Sequence, residues 1–134
     1  MNNKPITNKI DEQLFLNNAS NYFIKAILLE DCYYSISTYN LIKEHKIPSH
    51  IIYVNNNTKD TFKSNTINTF PQIYLNKYNT KGNLLLGGHN DLMQFIDNFK
   101  NKSIDKFKIN KFSCKYKWSN QATLKLIKLI NLKQ

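Results

Sequence analysis

The feature that most restricts the fold is one eight-residue run, Tyr22-Phe23-Ile24-Lys25-Ala26-Ile27-Leu28-Leu29, interrupted by a single lysine. Its length and near-continuous apolar character fit a strand buried on both faces, and Glu30-Asp31 ends it. Cys32 then opens a segment to about His45 in which Ile36, Tyr39, Leu41 and Ile42 recur at helical spacing. Ile47-Pro48 stops that helix, and His50-Ile51-Ile52-Tyr53-Val54, β-branched and aromatic, reads as a second strand. A buried strand, a crossover helix and another strand form a parallel pair.

The pattern continues with further short elements. Asn55-Asn56-Asn57 predicts a turn and residues 58–65 a polar helix, while Phe70-Pro71 leads into a third strand at Gln72-Ile73-Tyr74-Leu75. A loop containing Lys81-Gly82-Asn83 connects to Leu84-Leu85-Leu86, a fourth strand antiparallel to the third and ending at Gly87-Gly88. From Asn90 to about Lys100, Leu92, Met93, Phe95, Ile96 and Phe99 describe an amphipathic helix. Ahead of the first strand, residues 11–20 read as a short helix with Asn8 as its N-cap. The expectation is an α/β domain with a four-stranded mixed sheet. At 134 residues and 41% hydrophobic content the chain is sized for one hydrophobic core.

Residues 101–134 stand outside that alternation. All 19 basic residues of the chain are lysine, and nine of them fall in this stretch against Asp105 alone, whereas residues 1–100 are nearly neutral. The division expected is residues 1–100 as one domain and 101–134 as a basic C-terminal extension. Within it, residues 106–118 alternate aromatic and aliphatic residues with lysines, as a strand or an irregular arm would. Residues 121–133 form a helix so apolar that it must bury itself, in its own domain first and in a second copy as the alternative. Arginine, the best reader of phosphates and base edges, is absent, which argues against nucleic acid.

The longest purely apolar run is Ala26-Ile27-Leu28-Leu29, far short of a membrane span, and the polar start Met1-Asn2-Asn3-Lys4-Pro5 is unlike a signal peptide. No membrane partner and a cytoplasmic location are expected, with Cys32 and Cys114 as reduced thiols. His45, His50 and His89 are scattered, so no metal site is expected.

Cys32 is where the chemistry concentrates. It stands between a strand end and a helix start, where free N–H groups and the helix dipole favour a thiolate. With Tyr33-Tyr34-Ser35 it makes Cys-x-x-Ser, the one-thiol counterpart of a redox Cys-x-x-Cys. A serine cannot resolve a mixed disulfide, so an external thiol must do so.

Two further segments fall on the expected elements in order: Thr69-Phe70-Pro71-Gln72-Ile73-Tyr74-Leu75 before the third strand, and Leu86-Gly87-Gly88-His89-Asn90-Asp91-Leu92 after the fourth. Together with Cys32-Tyr33-Tyr34-Ser35 these resemble the glutaredoxin family over roughly residues 10–100. That family reads Cys-x-x-Cys or Cys-x-x-Ser, then Thr-Val-Pro-Gln, then Gly-Gly-x-Asp-Asp-Leu. The resemblance implies a thioredoxin-like, three-layer α/β/α sandwich and a cis peptide before Pro71. It implies glutathione as co-substrate, paired along the Phe70 backbone edge, flanked by Tyr34, and held at its carboxylate by the helix start of Gly88, His89, Asn90 and Asp91. The function implied is thiol–disulfide oxidoreduction through Cys32, with glutathionylated proteins as partners.

The chain also departs from the family. Leu29 stands where a lysine is usual three residues before the cysteine, and Glu30-Asp31 precede the sulfur directly. Negative charge there opposes a thiolate and repels the carboxylates of glutathione, so weak activity is expected. Phe70 replaces a small valine, and Asn90 the first aspartate of the Gly-Gly motif. Two alternatives stand beside the redox function. One is a glutathione-ligated [2Fe–2S] cluster between two chains, disfavoured because Tyr33-Tyr34 lacks the Gly-Phe pair of that branch. The other is a catalytically weak interaction module using the C-terminal extension.

Overall fold

Among the described residues five strands make one mixed sheet, and its order follows from which segments are apolar enough to be covered on both faces. The computed structural model describes residues 6–10, 21–78 and 82–132. The sheet runs β1 (Ile6–Ile10), β3 (Ser49–Val54), β2 (Tyr22–Leu29), β4 (Gln72–Lys77) and β5 (Asn83–Gly87) across its width. The central position falls to β2, the longest apolar run, as its composition requires. β2 and β3 are parallel, with Leu29 opposite Val54, joined by the crossover helix α1 (Tyr33–Glu44). β4 lies antiparallel to β2, and β5 antiparallel to β4 with a bulge between Ile73 and Tyr74.

These four strands are the ones the sequence predicts. β1 is an addition, paired antiparallel to β3 with Asn8 opposite Ile52, so Asn8 is a strand residue and not a helix cap. The helix predicted over residues 11–20 lies outside the described residues.

One face of the sheet carries most of the core. Ile24, Ala26 and Leu28 point into it and meet Ile42 of α1, Leu92, Phe95 and Ile96 of α2 (His89–Phe99), and residues from the two C-terminal helices. On the opposite face Ile27, Ile52 and Val54 form a smaller cluster with Leu29, Phe62, Phe70 and Tyr74 against it. Helix α1 seats itself differently from its apolar pattern. Ser35, Thr38 and Ile42 are its buried residues, while Ile36 is 54% exposed.

Residues 58–65 do not form the expected polar helix. Only a 3-10 turn, Lys59–Phe62, is present, preceded by an Asn55 side chain that accepts from the amides of Asn57 and Thr58. With no apolar stripe to bury, a longer helix has nothing to hold it.

The basic extension corrects the strand-or-arm expectation. Residues Lys106–Tyr116 are a helix, α3, capped by Asp105, whose carboxylate accepts from the Lys108 amide at 3.2 Å. Ile109, Phe112, Ser113 and Tyr116 recur at helical spacing on its inner side. Lys117 ends it in the left-handed region (φ 59°), and Ser119 caps α4 (Asn120–Ile130). Leu126, Ile127, Leu129 and Ile130 of α4 are buried in the main core, so its apolar face is covered by its own chain.

Polar clasps fix the extension at several points. Trp118 donates its indole N–H to the Leu85 carbonyl (3.1 Å), and the buried hydroxyls of Ser113 and Thr123 bond at 2.7 Å. Lys100 Nζ donates to the Ile130 carbonyl at the end of α4 (2.6 Å). Phe95, Phe99, Phe112, Tyr116 and Trp118 form a continuous aromatic cluster linking α2 to α3. Among the described residues no helix is long and apolar enough to cross a membrane.

Candidate functional site

The parallel pairing of β2 and β3 and the antiparallel pairing of β2 with β4 set Cys32 and Pro71 at the same end of the sheet. Cys32 is the N-cap of α1, extended in backbone (φ −100°, ψ 125°) and partly exposed. Its carbonyl accepts the Ile36 amide at 2.9 Å, which begins the helix, and no side-chain cap is made. Asp31 takes the left-handed region (φ 62°), a conformation aspartate tolerates better than most residues, and this turns the chain from strand into helix.

Ser35 is not a bystander to the Cys-x-x-Ser pair. It is 1% exposed, and its Oγ accepts the Leu29 amide at 2.9 Å. The Leu29 carbonyl in turn accepts the Cys32 amide at 3.3 Å. One buried hydroxyl therefore ties the strand end to the first turn of the helix and fixes the loop that carries the sulfur.

The β2–β4 ladder ends at Ile27 opposite Gln72. Carrying that register onward sets Leu29 against Phe70, and both side chains pack in the smaller apolar cluster. The Phe70 ring is thus drawn onto the second face of the sheet, and its backbone lies beyond the last paired residues. The Phe70–Pro71 peptide is cis.

The third segment reaches the same end of the sheet through β5. Gly87 pairs with Ile73, two residues from Pro71, and a side-chain carbon built on Gly88 would lie 3.7 Å from the Pro71 carbonyl oxygen. The rings of Tyr34 and His89 are 5.9 Å apart between centroids, joining the first turns of α1 and α2. Tyr33 and Tyr34 stand edge to face at 5.2 Å and are 73% and 54% exposed. Cys32, Tyr34, Phe70, Pro71, Gly88 and His89 therefore gather at one end of the sheet, and Asn90 is exposed in the first turn of α2.

Asp91 is held more tightly than the sequence suggests. One carboxylate oxygen accepts the Gly88 amide at 2.8 Å, closing the start of α2, and the other accepts the Tyr116 hydroxyl from α3. Gly87 (φ 132°) is needed here, because a side-chain carbon on it would sit 2.2 Å from the Asp91 oxygen. Burial first, then the hydrogen bond to Asp91 and its negative charge, push the Tyr116 phenol well above its ordinary range. His89 Nδ1 is buried with no hydrogen-bond partner among the described residues.

The charges follow the sequence. Glu30 and Asp31 are exposed beside Cys32. Lys25 pairs with His50 and Tyr74 in mid-strand, with its ammonium 5.9 Å from the Tyr74 ring. It sits four residues below Leu29, about 13 Å along the strand, and does not reach the sulfur. Burial, assisted by Lys25, pulls the His50 imidazole below its usual range. Cys114 is exposed on α3. Among the described residues no group of three His, Cys, Asp or Glu gathers to hold a metal.

The partnership of Ser35 with Leu29 and that of Tyr116 with Asp91 are the site features that sequence reasoning missed. Comparison of the chain with protein-family models and with curated proteins gives no match.

Proposed function

We propose that the chain is a one-thiol, glutathione-dependent thiol–disulfide oxidoreductase with a thioredoxin-like, glutaredoxin-type arrangement. The observation that carries this reading is the convergence of three separate segments at one end of the sheet. They are a cysteine at a helix start, a backbone edge at Phe70-Pro71 beyond the last strand pair, and a helix start at Gly88 against Pro71.

Each part has a chemical task. An extended tripeptide pairs along the Phe70 backbone, as strands add to a free edge. Its carboxylate meets the first amides of α2, in the turn that Asp91 closes by accepting the Gly88 amide. Tyr34 and His89 wall the cleft. The Cys32 thiolate attacks the glutathione sulfur of a protein–glutathione disulfide, and the protein thiolate leaves. A second glutathione thiolate then attacks the Cys32-linked sulfur, which releases glutathione disulfide and restores Cys32. The buried Ser35 holds the loop and takes no part in the exchange. Turnover is slow, because Leu29, Glu30 and Asp31 put no positive charge beside the sulfur.

The test is a coupled assay with a glutathionylated peptide, glutathione and glutathione disulfide reductase. The wild-type chain turns over and Cys32→Ser does not. Equal rates with and without the protein would refute the reading.

A further inference from the structure

A cleft of about 380 Å³ lies between α2 and α3, lined in part by Phe95, Phe99 and Phe112 of the main core and sharing Asp91 with the Gly88 turn. The contact of Tyr116 with Asp91 puts one end of the cleft beside the Gly88 turn, because Asp91 also holds the Gly88 amide. Lys108, Lys111 and Lys115 line it at helical spacing along two turns of α3, all exposed. Gln94 and Asn98 face them from α2, and Phe107 stands at the far end, 76% exposed.

Lysines outnumber carboxylates here, three against Asp91 and Asp105. Among the described residues none of the three lysines has an ion-pair partner; Lys115 lies 5.5 Å from the Tyr116 ring. Asp105, the cap of α3, and Asp91, bound to Gly88 and Tyr116, keep their charge, so the lining is net positive by about one and sits on an extension of nine lysines against one aspartate. A rail of lysines, a pair of amides and one bare phenyl ring fit an extended chain with repeated negative charge, a polar backbone and an apolar side chain.

We infer that this cleft docks an acidic, apolar-anchored segment of the protein substrate and so selects which mixed disulfides reach Cys32. The inference rests on the redox reading for its consequence, though not for the binding itself. A peptide fits better than a single-stranded nucleic acid. Strands are held by successive stacking rings and favour arginine, whereas the cleft has one exposed ring and the chain has no arginine.

Fluorescence anisotropy with a labelled peptide of glutamates flanking one leucine tests the docking on the full-length chain. Lys108→Glu, Lys111→Glu and Lys115→Glu together weaken binding at least about tenfold, and added salt weakens the wild-type complex. Phe107→Ala weakens it as well, without changing the net charge. The triple variant keeps its helical circular dichroism, since the three positions are exposed. Unchanged affinity in that variant, or tighter binding of a labelled oligonucleotide than of the peptide, would overturn the inference. A kinetic arm separates it from the redox reading. The triple variant loses turnover of a glutathionylated acidic peptide but retains that of the mixed disulfide of glutathione with 2-mercaptoethanol. If the small disulfide is not turned over by the wild type, the redox reading fails while anisotropy still decides the cleft.

Discussion

The Tyr116 hydroxyl donates to a carboxylate oxygen of Asp91, and the other oxygen of that carboxylate holds the Gly88 amide. A residue of the basic extension thereby fixes the turn that faces Pro71. Tyr116→Phe removes one hydrogen bond to a charged group and lowers stability by about 1–2 kcal/mol, read from urea midpoints near neutral pH. The pH dependence has a definite sign. The phenol is raised in the folded state above its ordinary value of 10.0, so above that pH the unfolded chain releases its proton first. The contribution is complete below pH 10 and shrinks as pH rises further. The wild type therefore loses stability more steeply than Tyr116→Phe in alkaline solution, and parallel curves would contradict the assignment.

The two adjacent glycines separate cleanly. Gly87→Ala forces a side chain at φ 132° and drives it into the Asp91 carboxylate, so a loss of about 2 kcal/mol or more is expected in thermal melts. Gly88→Ala meets nothing closer than the Pro71 carbonyl at 3.7 Å and folds with a melting temperature near wild type. Because that added methyl lies in the proposed glutathione cleft, Gly88→Ala raises KM for glutathione while leaving the fold intact.

Ser35→Ala leaves the Leu29 amide without its acceptor at a buried position, at a cost of about 1–3 kcal/mol. Amide hydrogen exchange at Leu29 reports the effect locally. Ser35→Thr keeps an acceptor but adds a methyl group where the side chain is 1% exposed, so it does not restore full stability.

Deleting residues 101–134 unfolds the protein. Ile109, Trp118, Leu126, Leu129 and Ile130 belong to the same core as Ile24, Ala26 and Leu28, and Trp118 also bonds to β5. Circular dichroism of the 1–100 fragment shows the outcome; a cooperative thermal transition in that fragment would contradict this packing.

Much of this fold is legible in the sequence, for physical reasons that also explain what is not. β2 and β3 are legible because strands covered on both faces must be apolar throughout. α2 declares itself because Leu92, Phe95, Ile96 and Phe99 fall on one stripe. β1 is hidden: Ile6-Thr7-Asn8-Lys9-Ile10 is an edge strand rich in polar residues, which local sequence alone reads as the approach to a helix. α3 is hidden because Phe107, Ile109 and Lys111 alternate like a strand, while Phe107 is left in solvent and the true inner stripe includes Ser113. The positions of Cys32, Pro71 and Gly88 are legible as motif spacing. The binding of Asp91 by Tyr116 is not, because it depends on α3 crossing α2, a contact between residues 25 apart in sequence.

Intact-protein mass spectrometry after exposure to glutathione disulfide tests the central claim most directly. The account predicts one added glutathione on the wild-type chain, located by peptide mapping at Cys32, retained in Cys114→Ser and absent in Cys32→Ser. Modification confined to Cys114, or no adduct while the chain remains folded, would contradict it.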